Sequence, residues 1–70
     1  MLSLSQAKQG ETYTVKWMFG APEVLSYMRN RFIEEGAVIR VIGKYGDGRI
    51  VAAKQKRIAI CGEVADRIKV

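Results

Sequence analysis

Apolar and polar positions alternate from Thr12 to Phe19. Tyr13, Val15, Trp17 and Phe19 fall on one side of an extended chain, and Thr12, Thr14 and Lys16 on the other. A period of two in a stretch rich in β-branched and aromatic residues predicts a half-buried strand with those four apolar residues as its core stripe. Met18 is the exception on the polar side. Gly20 then breaks the strand, and Ala21-Pro22 suits the start of a helix, where a missing backbone N–H costs nothing. Glu23 stands where the helix dipole favours negative charge. Leu25, Met28 and Phe32 recur at helical spacing with Val24 beside them, and Tyr27, Asn30 and Glu34 face the other way. The pattern predicts a helix running to Glu34–Glu35, with Gly36 as its terminator.

The second half reads as strands. Val38 to Lys44 is β-branched, with Ile39 and Val41 on one face and Val38, Arg40 and Ile42 on the other. Tyr45-Gly46-Asp47-Gly48 signals a hairpin, because glycine supplies the positive φ of tight turns. Arg49 to Lys54 returns, Gln55-Lys56 turns, and Arg57 to Cys61 forms a further strand with Ile58 and Ile60 inward. Gly62 to Ala65 is a corner. Asp66 to Val70 closes the sheet, with Ile68 and Val70 inward and Arg67 and Lys69 outward. Leu4 to Gly10 is a lead-in whose single helical turn Ser5 can cap. Five short strands with one helix after the first predict a mainly β fold, a small SH3-like barrel whose closure protects its edges. The nearest alternative, an OB-fold, usually carries its helix later.

Length and composition narrow the function. Seventy residues suffice for one domain, expected over 1–70, and leave little room for a walled pocket. A lone cysteine, Cys61, cannot form an internal disulfide, which points to a reducing cytoplasm. No apolar run is long enough to span a membrane. Met1-Leu2-Ser3-Leu4-Ser5 lacks the basic start and long apolar stretch of a signal peptide and is expected to begin the fold. The net charge of +5 favours acidic partners, but acids are interspersed throughout, so solubility accounts for it first.

Catalytic chemistry has no candidates. The chain contains no histidine, the commonest general base and metal ligand. Cys61 ends a strand expected to be buried, so it reads as a packed, inert thiol. Glu34 and Glu35 are neighbours that would point about 100° apart on a helix. Glu63 and Asp66 flank a corner, where capping is their expected role. No acidic loop of the kind a hard cation needs is present, and Met1, Met18 and Met28 are too scattered for a soft-metal site. No catalytic residue, cofactor site or metal ligand is assigned. Binding remains. Basic residues gather toward the end of the chain: Lys54, Lys56, Arg57, Arg67 and Lys69. Met18, Val38, Ile42 and Tyr27 are apolar residues expected outside.

The order of these elements resembles the FeoA family of ferrous iron transport proteins. The stretch from Lys56 through Arg57-Ile58-Ala59-Ile60 to Ala65 and Ile68-Lys69-Val70 is similar to the family's ending. Leu4 with Gly10-Glu11 resembles its opening, and Phe32 to Gly36, Ile39, Val41 and Gly46-Asp47-Gly48-Arg49-Ile50 resemble its middle. One stretch departs from the family pattern after the helix: Arg31 stands where a glycine is expected, Glu35 where a proline is, and one residue is extra. The resemblance implies an SH3-like barrel and a cytoplasmic accessory protein of bacterial Fe(II) uptake, acting by docking to a FeoB-type transporter. Transition-metal binding comes with the family, without ligands identifiable here. On this reading Arg57, Arg67 and Lys69, with Val38 and Ile42 as apolar neighbours, are the expected docking residues. A small basic nucleic-acid-binding barrel is the alternative. Against it, Tyr13, Trp17 and Phe19 read as core, whereas stacking needs exposed rings. A metal-binding regulatory domain is the third reading.

Overall fold

In the computed structural model, which describes residues 1–70, six strands form two antiparallel sheets. A 3-10 turn at Leu4–Gln6 leads in. The strands are β1 (Thr12–Thr14), β2 (Trp17–Met18), β3 (Val38–Tyr45), β4 (Gly48–Ala53), β5 (Lys56–Ile60) and β6 (Ile68–Lys69). The helices are α1 (Pro22–Arg29) and the single turn α2 (Gly62–Ala65), which fills the expected corner. One sheet has the order β1-β3-β4-β5, and β2 pairs with β6 in the other. The architecture is the mainly β, SH3-like fold, with one strand more than the pattern predicts.

The extra strand arises because Thr12–Phe19 changes partner midway. The Val15 amide donates to the Ala37 carbonyl at 2.8 Å, whereas the Lys16 amide donates to Lys69 at 2.8 Å. At this corner Lys16 and Trp17 both point outward, so the alternation slips by one residue. Tyr13 and Val15 still face the core, but beyond the corner Met18 is buried and Trp17 and Phe19 are 50% and 40% exposed. The expectation that Trp17 and Phe19 belong to the core stripe, and that Met18 lies outside, is therefore corrected. A strand that switches sheets cannot keep one face inward along its whole length.

Helix α1 also ends earlier than predicted. Its exit has the double bond pattern of a Schellman turn: the Phe32 amide donates to the Arg29 carbonyl and the Ile33 amide to the Met28 carbonyl, both at 3.0 Å. Phe32 takes the left-handed position, with φ 67°. The turn drives Ile33, wholly buried, against Met28, and burying Ile33 decides the exit over continuing the helical spacing to Phe32.

The two hairpins differ in how well the sequence announces them. Tyr45 pairs with Gly48, leaving Gly46-Asp47 as a two-residue loop with Gly46 at φ 59°. Ala53 pairs with Lys56, so the second turn is Lys54-Gln55, one residue earlier than predicted, with φ 48° and 69°. Neither is glycine, so no residue type marks the turn's exact position. Fifteen residues form the core. Ile39, Val41, Ile58, Ile60, Ile68 and Val70 lie in it as their alternation predicts. The N-terminal turn is capped at Ser3 rather than at Ser5: the Ser3 amide donates to Gln6 Oε1 at 3.4 Å. Ser5 Oγ reaches the Asp66 carboxylate instead.

Candidate docking surfaces

Strand register sorts the expected docking residues onto two sheets. Thr12, Arg40, Ala52 and Arg57 lie in one row across β1, β3, β4 and β5. Val38, two residues from Arg40, shares that outer face and is 64% exposed. Ile42 sits at the irregularity between Val41 and Gly43 and is half-buried. Arg57, Val38 and Ile42 therefore belong to one sheet face, joined by Arg40. Sequence reading missed Arg40 as a partner of Arg57, since only register brings them to either side of Ala52.

Arg67 and Lys69 belong to the other sheet. Both are half-buried rather than fully outward. The Lys69 ammonium donates to Ser3 Oγ at 2.6 Å and to the Asp66 carbonyl at 2.9 Å. Arg67 approaches Glu63 at 3.9 Å, a solvent-exposed pair of small energetic weight. On this face the Trp17 and Phe19 rings pack together with centroids 4.9 Å apart.

A third surface was not legible in the sequence. Between α1 and the β5–α2 corner runs an open groove of about 380 Å³, with seven apolar residues among its eight lining residues. Val24, Tyr27 and Met28 form the helix side, with Glu23 at the lip; Ala59, Ile60, Cys61 and Val64 form the other. Cys61 is exposed there, as the residue that caps α2, which corrects its expected burial. Arg31 stacks over the Tyr27 ring, 3.4 Å from its centroid, and donates to the Tyr27 carbonyl at 3.2 Å. Arg57 lies two residues before Ala59 on the same face of β5, about 7 Å away along the strand. The groove is thus an apolar trough with guanidinium groups beside it.

The residue types that hold transition metals do not come together. No group of three or more His, Cys, Asp or Glu side chains converges anywhere in the fold. The donor set therefore does not fit a bound transition metal. The one buried charge, Arg49, is structural: its Nε donates to the Ala7 carbonyl at 3.0 Å and its Nη1 to the Gly48 carbonyl at 2.8 Å.

Comparisons with known proteins agree with this architecture. A model of the FeoA domain matches residues 2–70. No curated protein sequence matches the chain. Among solved structures, an iron uptake regulatory protein (FeoA) is similar with a TM-score of 0.85 at 24% identity, over 96% of this chain and 91% of that one. A manganese-dependent transcriptional repressor is similar with a TM-score of 0.84 at 21% identity, over 96% of this chain and 39% of that one. ScaR with bound Cd2+ gives 0.83 at 20% identity, over 97% of this chain and 33% of that one. In the repressor and in ScaR the likeness takes up only a part of a longer chain, and at these identities it is a likeness of fold.

Proposed function

The chain belongs to the FeoA domain family, non-catalytic accessory domains with a role in ferrous iron transport, and we propose that it acts in the cytoplasm by docking to a FeoB-type transporter. The observation that carries this reading is the apolar groove between α1 and the β5–α2 corner. A concave apolar trough open to solvent is unfavourable to leave wet, and contiguous apolar surface of this kind marks binding sites. Arg31 and Arg57 beside it suit a partner segment that places an apolar side chain in the trough and acidic residues next to it. The expected cations Arg57, Arg67 and Lys69 and the apolar Val38 and Ile42 then divide. Arg57 serves the groove, Val38 and Ile42 extend the same sheet face, and Arg67 and Lys69 lie on a different surface.

Docking of this kind changes the transporter only through differential affinity for its states. Titration into the cytoplasmic GTP-binding domain of the same organism's transporter, with and without nucleotide, tests the proposal. Saturable binding that is lost in Val64→Glu and weakened in Arg57→Glu is expected. Absence of binding both to that domain in every nucleotide state and to the intact transporter in lipid nanodiscs would overturn it.

A further inference from the structure

Strand pairing builds a second surface, unrelated to the groove, on the outer face of β2 and β6. Trp17 stands directly opposite Lys69, and Lys69 bridges to Ser3 on its other side. Directly opposed residues of antiparallel strands point to the same face. Phe19 donates its amide to the Arg67 carbonyl at 3.1 Å, which continues the row by one pair. Met1, two residues from Ser3, extends it at the other end and is 84% exposed. The opposite face of the same ribbon carries Met18, Ile68 and Val70, all buried. Alternation therefore puts Met1, Trp17 and Phe19 outside together with Arg67 and Lys69.

We propose that this face binds anionic phospholipid headgroups and lays the protein against a membrane surface. Trp and Phe beside lysine and arginine match the boundary between headgroups and acyl chains, where an indole keeps its N–H wet and its rings dry. The cations are poised for phosphates. Lys69 uses two of its three N–H donors on Ser3 and the Asp66 carbonyl, which holds the ammonium in place and leaves one donor free. Arg67 is engaged only by Glu63 at 3.9 Å. The other nearby carboxylate, Asp66, is taken up by Ser5. Nucleic acid fits this face less well. Base stacking needs a free ring face for each base, whereas Trp17 and Phe19 close on each other at 4.9 Å and the Lys69 ammonium stands 5.8 Å from the Phe19 centroid.

Trp17 is the only tryptophan in the chain, so its fluorescence reports this face directly. The full chain is mixed with vesicles of phosphatidylcholine alone or with equimolar phosphatidylglycerol. The expected result is a blue shift of Trp17 emission and co-sedimentation with the anionic vesicles only, both weakened by salt. Each cation near such a surface contributes about a fivefold factor, so Arg67→Gln should weaken partitioning about fivefold and Arg67→Gln with Lys69→Gln roughly 30-fold. Far-UV circular dichroism checks that the double variant is folded; if it is not, Arg67→Gln alone decides, since that side chain makes no hydrogen bond in the fold. The proposal is overturned by no shift with anionic vesicles at low salt, by equal binding to neutral vesicles, by unchanged partitioning of Arg67→Gln, or by a shift that single-stranded RNA causes and vesicles do not.

Discussion

Phe32 holds a left-handed backbone conformation, φ 67°, that bulky side chains rarely adopt and glycine takes freely. Its ring is half-buried against the core, with the Lys54 and Lys56 ammonium groups 5.1 and 5.7 Å from its centroid. Strain and packing therefore oppose each other here, and a pair of truncations separates them. Phe32→Gly and Phe32→Ala lose the same ring, but only alanine keeps a Cβ at positive φ. Phe32→Gly should be the more stable of the two by about 1 kcal/mol in urea unfolding, the reverse of their order inside a helix. Alanine equal to or above glycine would refute the strain. At Arg49 the balance is different. Replacing it with methionine keeps the volume but leaves the buried Ala7 carbonyl without its donor, so Arg49→Met should cost about 2–3 kcal/mol. Gly48 is irreplaceable for a steric reason: a Cβ there would land on the Ile60 carbonyl oxygen.

Among the elements, the β4–β5 hairpin is the least favoured locally. A two-residue loop of this kind wants positive φ at both central positions, which Asn-Gly supplies and Lys54-Gln55 does not. Lys54→Asn with Gln55→Gly should stabilise the protein by about 1 kcal/mol, read as a higher urea midpoint at unchanged slope. The β3–β4 hairpin takes positive φ only at its first central position, where Gly46 at φ 59° supplies it, and was readable for that reason. Element type survived well where a strand keeps alternate residues buried, as Ile39 and Val41 are on β3 and Ile58 and Ile60 on β5. It failed where an element changes environment midway. The Thr12–Phe19 stretch crosses from one sheet to the other, and α1 gives way to a turn that buries Ile33. Alternation and helical spacing report local geometry, and neither marks where a chain changes partner.

For the molecule as a whole, both sheets contribute to one cluster of buried residues, from Val51 on β4 to Ile68 on β6. The β2–β6 ribbon is two residues long on each strand and cannot persist alone. Trp17 fluorescence, which senses that ribbon, and far-UV circular dichroism, which is dominated by the larger sheet, should therefore trace coincident urea transitions. An earlier transition of Trp17 would show that the ribbon detaches first. The groove also belongs to this scale. Its sides come from residues 23–28 and 59–64, which no local pattern connects.

The sequence by itself determined the succession from the helix at Pro22 to the strands β3, β4, β5 and β6, the hairpin at Gly46, the inward faces of β3, β5 and β6, and a basic chain without histidine. Those properties follow from periodicity, turn chemistry and composition, all of which act within a few residues. Only the tertiary structure decided which aromatic rings face water, that Cys61 is exposed, that Arg40 stands beside Arg57 across Ala52, and that Arg67 and Lys69 share a face with Trp17 and Phe19. Each of these depends on which strands pair and in what register. A one-residue slip in alternation at the Lys16 corner turns Trp17 and Phe19 from core residues into surface ones. Burial energy is shared among residues far apart in sequence, and only the closed barrel decides how it is divided.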